Sequence, residues 1–370
     1  MERKKRILFI VPLPPPVHGS SMMCEYIRQS KLINNNFACD YTNLSTSRSI
    51  DEIGKGGIRK YLRMIGALGI TFWKLLTKEY DLCYIALTCH GNGFLKDAPF
   101  ALLCKLFGRK LIIHQHNKGM SKDLGSPWRV KLLKAVYKNT SVILLSWKLY
   151  PDIEAIVHRE QIKICPNGIP VEPSFNILPA RNNLIPHLLF LSNLIPSKGV
   201  YVLLDALKIL KDKGHKFVCN FVGGESKEIS ADIFKQAVSS RALNGYVEYL
   251  GKKYGEEKNK ILAKHDIFVF PTFYDNECFP LVLLEAMQAA LPSISTNEGA
   301  IPDLLDNTGM VINSNDAIQL ATAIEKLITD GESCSKLSQA ANKRFKMNYT
   351  LNSFEKNILN VLNENLNGAL

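Results

Sequence analysis

Two carboxylates, Glu277 and Glu285, are separated by seven residues within PTFYDNECFPLVLLEAMQAALPSISTNEGAIPD, the stretch from Pro271 to Asp303. Pro280 stands between them at a first helical position, and Leu281, Leu284, Met287 and Leu291 recur at helical spacing. The spacing predicts a helix from near Pro280 to about Ala290, with Glu277 in the loop before it. The backbone N–H groups of Phe279, Leu281 and Val282 would then be free at the positive end of the helix dipole, which is a phosphate site. Hydroxyls want acceptors and phosphate wants donors, so carboxylates flanking such a helix start suit a phosphorylated sugar. The alternative is a pair of solvated helix-start carboxylates. The turn from Asn297 to Asp303, with Gly299 and Pro302, favours the ligand site because it brings a second loop to the same crevice.

The elements around this stretch must position it. HDIFVFPT, just upstream, is a short apolar run ended by proline, the pattern of a buried parallel strand. Strand, loop and helix in that order place the ligand crevice at the strand's carboxyl end.

The stretch resembles the C-terminal signature of glycosyltransferase family 4, retaining transferases of the GT-B fold, in which glutamate, seven residues and glutamate are matched by Glu277 and Glu285. The turn GAIPD is similar to the family's glycine-rich turn. The resemblance implies an α/β fold of GT-B type, two Rossmann-like domains facing a cleft, the second holding a nucleotide-sugar donor and the first an acceptor. It implies that Glu285 holds the donor ribose and Glu277 orients sugar hydroxyls, with Phe279, Pro280 and Leu281 at the phosphate. It also implies that no divalent metal or other cofactor is needed, and the sequence contains no Asp-x-Asp.

Taken from its start, the chain opens with a strand, KKRILFIVP, a proline-rich loop and a helix from about Ser21 to Leu32. Gly19 is where backbone can approach a ligand. Members of the family have two glycines in this loop, and here His18 occupies the first. Ile58 to Tyr80 reads as a long helix with a wide apolar face and Arg59, Lys60, Arg63, Lys74 and Lys78 near its ends, either packed on the sheet or lying on a membrane surface. Asp81–Thr88 and Lys110–His116 are the next strands. The second ends in polar groups, and His116 matches the family's histidine near the transferred sugar, with His114 as a core or supporting residue. A basic helix from Pro127 to Lys138 is a candidate contact for acidic lipid.

The linker is placed at 173–186, between a domain of residues 1–172, completed by a last helix of about 346–370, and a second of 187–345. In the loop after the second domain's first strand, HLLFLS, the family has an arginine followed five residues on by a lysine, both on the donor diphosphate. Lys198 matches the lysine. Asn193 occupies the arginine position, where an amide dipole replaces a charged fork. Gly223 begins the glycine turn that in the family lies near the nucleotide base.

Composition bounds the remainder. A chain of 370 residues suggests two domains, and 46% hydrophobic residues mark it as globular. No apolar run reaches the length of a bilayer span, and the first apolar segment is too short for a secretion signal, so the expected location is the cytoplasm, with peripheral contact on the inner face of the cell membrane. Nine cysteines without CxxC spacing read as reduced thiols; Cys83, Cys89 and His90 fit a strand and loop better than a metal site. Up to Pro173 there are 26 Lys and Arg against 13 Asp and Glu, and beyond it 20 against 21. A basic first half calls for an anionic partner. With no basic run interleaved with aromatics, an anionic membrane surface is favoured and nucleic acid is not expected.

The expected function is therefore a retaining glycosyltransferase, moving sugar from a UDP- or GDP-sugar to a saccharide or lipid-linked acceptor in surface polysaccharide or lipopolysaccharide synthesis. The alternatives are a GT-B sugar epimerase or phosphorylase, or an inactive nucleotide-sugar-binding subunit.

Overall fold

The computed structural model describes residues 3–46, 57–175 and 183–368, and the chain divides into two units, Met1–Gly168 with Leu351–Leu370, and Ile169–Thr350. Residues 176–182, within the expected linker, lie outside the described residues.

The first unit contains β1 (Arg6–Val11), α1 (Gly19–Gln29), α2 (Lys31–Asn36), β2 (Ala38–Asn43), α3 (Ile58–Thr77), β3 (Leu82–Ala86), α4 (Gly91–Leu106), β4 (Leu111–His114), α5 (Pro127–Tyr137), β5 (Ser141–Leu144) and β6 (Ile162–Ile164). Its six strands are parallel, in the order β2-β1-β3-β4-β5-β6. Helices cover both faces of such a sheet, so its central strands are apolar throughout: Ile7 to Val11 and Leu82 to Ile85 are fully buried.

The second unit contains β7 (His187–Leu191), α6 (Val200–Asp212), β8 (Val218–Val222), α7 (Ala231–Ser240), β9 (Val247–Tyr249), α8 (Gly255–Lys264), β10 (Ile267–Phe270), α9 (Leu281–Gln288), β11 (Ser293–Thr296), α10 (Ile301–Leu305), β12 (Gly309–Ile312), α11 (Ala317–Thr329) and α12 (Gly331–Asn348). Its strands are parallel in the order β12-β11-β10-β7-β8-β9. Ile169 N–H donates to the Tyr349 carbonyl at 2.9 Å, and Gln288 accepts from Glu172 N–H at 2.5 Å, which is why the residues just after Gly168 belong here. The last helix, α13 (Leu351–Asn367), belongs to the first unit, where Lys110 donates to the Asn365 carbonyl at 3.2 Å and Lys163 pairs with Glu364 at 2.7 Å.

Several elements differ from the sequence reading for local reasons. α1 starts at Gly19, not Ser21, because His18 caps it: the imidazole Nδ1 accepts from Ser21 N–H at 3.3 Å and Ser21 Oγ accepts from His18 N–H at 2.9 Å. The run expected as one helix to Leu32 breaks at Ser30, whose hydroxyl caps α2. β4 ends at His114, so His116 lies in the loop beyond the strand. α3 forms as expected, but its apolar stripe faces outward: Thr71 and Leu75 are its buried residues, while Ile58, Tyr61, Leu62, Ile65, Trp73 and Leu76 are each more than half exposed.

Candidate functional site

In the second sheet, β7 and β10 are neighbours, and the chain winds outward from them in opposite directions. This is the topological switch point, where the loops leaving adjacent strands part and open a crevice at the carboxyl ends. The loop after β7 carries Asn193 and Lys198; the loop after β10 carries Glu277.

The two loops are locked together. Ser197 carbonyl accepts from Phe273 N–H at 2.8 Å and from Thr272 Oγ1 at 3.4 Å. Gly199 has φ +87°, and a Cβ there would lie 2.1 Å from the Pro271 carbonyl oxygen, so only glycine permits this approach. From β11, Thr296 Oγ1 donates to the Thr272 carbonyl at 2.5 Å. Gly299, φ +54°, lays the next turn on the Glu277 and Cys278 carbonyls, and Ala300 N–H donates to Cys278 at 2.8 Å.

Lys198 Nζ reaches Glu277 Oε2 at 2.5 Å, with the Thr272 hydroxyl 3.4 Å from the same oxygen. The two side chains are only 16% and 10% exposed, and the ammonium lies 4.3 Å from the Tyr274 ring centroid and 5.6 Å from that of Phe270. A carboxylate and two aromatic faces thus hold one ammonium in place. An ammonium has three donors, and Glu277 occupies one.

α9 begins at Leu281 with Pro280 as its cap, one position later than the sequence spacing placed it, and ends at Gln288, since Ala290 adopts φ +54°. The proline makes no side-chain cap hydrogen bond, so the first-turn N–H groups of Leu281 and Val282 are not satisfied by a cap. Phe279 is buried, with its ring 6.1 Å from that of Tyr349. One turn into α9, Glu285 Oε1 accepts from Lys258 Nζ of α8 at 2.8 Å.

Asn193 Oδ1 accepts from Gly224 N–H at 3.0 Å, and Leu194 N–H donates to the Gly224 carbonyl at 2.7 Å. The amide therefore fastens the glycine turn. Gly223 in that turn has φ +153°, and a Cβ would lie 1.9 Å from the Ser192 carbonyl oxygen. A Cβ on Gly224 would lie 2.4 Å from Lys252 Cε and 3.3 Å from its Nζ, placing a second ammonium beside Asn193.

The remaining sequence candidates, Gly19 and His116, are in the first unit. Gly19 is exposed at the first position of α1. His116 has both ring nitrogens buried without a hydrogen-bond partner, and its ring is 4.0 Å from that of His114. Burial, followed by the neighbouring His18, depresses His116 to about 3. His114 is hydrogen-bonded to the Tyr84 hydroxyl through Nδ1, and burial followed by His116 lowers it well below the ordinary histidine value. Burial also lowers His18. Its Nδ1 accepts a backbone N–H, so the neutral ring carries its proton on Nε2. The first unit thus presents three neutral imidazoles near the ends of β1 and β4.

Lys252, Lys258, Thr272 and Tyr274 are additions of the structure. Thr272 and Tyr274 lie in the stretch the sequence singled out, but nothing in their spacing marks them. Lys252 and Lys258 belong to a lysine-rich segment, KKYGEEKNK, in which only the side-chain contacts, Lys252 beside Gly224 and Lys258 on Glu285, show which cations turn toward the site. Among the described residues, no three His, Cys, Asp or Glu side chains are grouped to hold a metal ion.

Residues 180–344 match the sequence profile of the glycosyl transferases group 1. The chain is 32% identical over 176 residues to the amylovoran biosynthesis glycosyltransferase AmsK of Erwinia amylovora, a match covering 45% of this chain and 42% of that protein. It spans well under two thirds of the length of the first curated relatives it matches. Among solved structures, a glycosyltransferase from Rickettsia africae superposes with TM-score 0.78 at 16% identity over 100% of both chains. HepE of Anabaena, solved in complex with UDP, superposes with TM-score 0.72 at 16% identity over 97% of this chain and 100% of its own. At such identities the likeness speaks for the fold, which is GT-B. The likeness to the glycosyl transferases group 1 thus lies in residues 180–344, on a chain of GT-B fold.

Proposed function

We propose that this protein is a retaining glycosyltransferase that moves a sugar from a UDP- or GDP-sugar to a saccharide or lipid-linked acceptor in surface polysaccharide or lipopolysaccharide assembly. The observation that carries the reading is the Lys198–Glu277 pair at the switch point of the second sheet, beside the start of α9. The family likeness of residues 180–344, and the naming of AmsK for polysaccharide biosynthesis, support it.

In this reading the donor diphosphate takes the two remaining donors of Lys198 and the N–H groups at the start of α9. Lys252 supplies the second positive charge that Asn193 lacks, and Asn193 holds the turn on which that charge is placed. Glu285 accepts from the ribose diol, oriented by Lys258. Glu277, with one oxygen on Lys198, offers the other to the sugar hydroxyls. As the bond from the anomeric carbon to the diphosphate oxygen breaks, the acceptor oxygen bonds that carbon from the same face, and its proton passes to the departing phosphate oxygen. Fixed positive groups stabilise the charge that develops on the leaving group, without reorganisation and without a divalent metal. For His116 the assigned role is a neutral hydrogen bond to the sugar, since burial keeps the ring unprotonated at neutral pH.

The test is a thermal-shift screen against UDP-, GDP- and ADP-sugars and their free nucleotides, run in EDTA. A rise with one nucleotide family, followed by sugar transfer from that donor with the anomeric configuration kept, supports the reading. No shift at millimolar concentrations refutes it, and a shift with no sugar transfer favours the inactive-subunit alternative.

A further inference from the structure

We infer that Tyr84 is a positioning residue for His116 and acts on it through the ring of His114. The inference rests on the reading of His116 as the group that hydrogen-bonds the transferred sugar. A histidine that holds a ligand through one ring nitrogen is ordinarily oriented by a protein group bonded to the other. His116 has no such partner among the described residues, because both of its nitrogens are buried and unpaired. Its ring is therefore oriented by what lies against its face. That is the ring of His114, at 4.0 Å between centroids and 36° between planes.

His114 ends β4, is fully buried, and is turned by one hydrogen bond. Its Nδ1 is bonded to the hydroxyl of Tyr84 on the neighbouring strand β3, while its Nε2 is buried without a partner. An imidazole nitrogen is a better acceptor than a phenol oxygen, so Tyr84 donates and the neutral ring carries its proton on Nε2. Without that bond the His114 ring is free to turn over about its own axis, exchanging nitrogens for carbons beneath His116. Tyr84 is itself held by its neighbours. It is fully buried and stands third in a row of rings that crosses the sheet. Tyr41 of β2 stacks on Phe9 of β1 at 5.0 Å, Phe9 lies 5.2 Å from Tyr84, and Tyr84 meets His114 edge-on at 5.8 Å. The register pairs Phe9 with Tyr41 on one side and with Tyr84 on the other, so these three rings share one face of the sheet. The row ends on His116, whose ring is thus set by the core of the sheet, although the residue lies in the loop beyond it.

The experiment has one arm that needs no ligand and one that follows turnover. Nitrogen NMR of the full chain, labelled at its eight histidines, should show His114 in the wild type with Nδ1 unprotonated and Nε2 protonated. In Tyr84→Phe, which keeps the row of rings and removes only the hydroxyl, that signal should give way to a mixture of tautomers. With the donor found in the thermal-shift screen, Tyr84→Phe should lower kcat about tenfold, as for a slight misplacement of a group at the reacting centre, and leave KM for the donor within about twofold. Adding His114→Phe to Tyr84→Phe should return kcat to within about threefold of wild type, because two apolar rings of the same shape leave no unpaired group and keep a flat surface beneath His116. A merely structural loss at Tyr84 would not be repaired in this way. Mixed tautomers in the wild type, a His114 signal unchanged by Tyr84→Phe, an unchanged kcat in that variant, or a double variant no better than the single one would each overturn the inference. His116→Ala separates this from the reading beneath it. If that variant is impaired while Tyr84→Phe is not, the inference alone fails; if it turns over donor like the wild type, the reading of His116 fails and the inference with it.

Discussion

Replacing Lys198 with Met removes the ammonium from the switch-point loop while keeping much of its aliphatic stem. In the structure that ammonium is bound to Glu277 at 2.5 Å, in a position only 16% exposed. Hydrogen bonds to charged groups contribute about 1.5–3 kcal/mol each, so losing one bond to a diphosphate should weaken binding by roughly 10- to 150-fold. The lower part of that range is favoured, because wild-type Glu277 already competes for the same cation. The substitution also leaves Glu277 beside only the Thr272 hydroxyl, at 3.4 Å. For a pair between the exposed and the buried limits, that should cost about 1–3 kcal/mol of stability. Adding Glu277→Gln should recover most of the stability and none of the diphosphate affinity. Calorimetric titration with the nucleoside diphosphate and with the parent nucleoside separates the effects: the first should weaken and the second should not. If Lys198→Met binds the diphosphate within about twofold of wild type, well short of the roughly tenfold that is the least loss expected for one such bond, the placement of the phosphate is wrong.

Glu285→Ala should lower donor affinity by about tenfold, the loss of one charge-assisted hydrogen bond to a diol, whereas Lys258→Met should change stability by less than about 1 kcal/mol because both partners are partly exposed; titration and thermal melting measure the two. Asn193→Arg should remove the hydrogen bond to Gly224 and crowd Lys252, lowering stability by about 1 kcal/mol without a large gain in turnover; a large gain would show that the natural site is impaired. His116 stays neutral in the fold down to about 3 but titrates near 6.5 when unfolded. The unfolded chain therefore binds more protons between these values, and stability is full above 6.5 and falls as pH drops toward 3. By pH 4.5 the loss from this residue should be on the order of 2 kcal/mol, and His116→Asn should flatten the acid limb of a melting-temperature profile by that share.

Much of the site could be read from the sequence because it is local. Glu277, Pro280 and Glu285 lie within nine residues of one strand-loop-helix unit, and the turn at Gly299 lies just beyond the next strand. Lys198 entered by resemblance alone, since nothing in its own surroundings links it to a glutamate 79 positions away. Lys258 and Lys252 could not be read at all. The first stands in a polar helix whose orientation is set by packing on the sheet, and the second in a loop whose neighbours come from β7 and β8. His18 was visible as a departure from a glycine pattern, but its use as the cap of α1 depends on backbone geometry at one turn.

The sequence by itself determined the class of fold and the chemistry on offer. Alternating apolar runs and helical periods dictate parallel sheets wrapped by helices, because a strand buried on both faces must be apolar throughout. A helix start flanked by carboxylates dictates donors for phosphate and acceptors for hydroxyls. Only the tertiary structure decided which loops meet, because the strand order brings the ends of β7 and β10 together across 79 residues of chain and so forms the Lys198–Glu277 pair. It also decided which way α3 faces. An amphipathic period says that one side of a helix is apolar, but only packing shows whether that side is turned to the core or, as here, to the solvent.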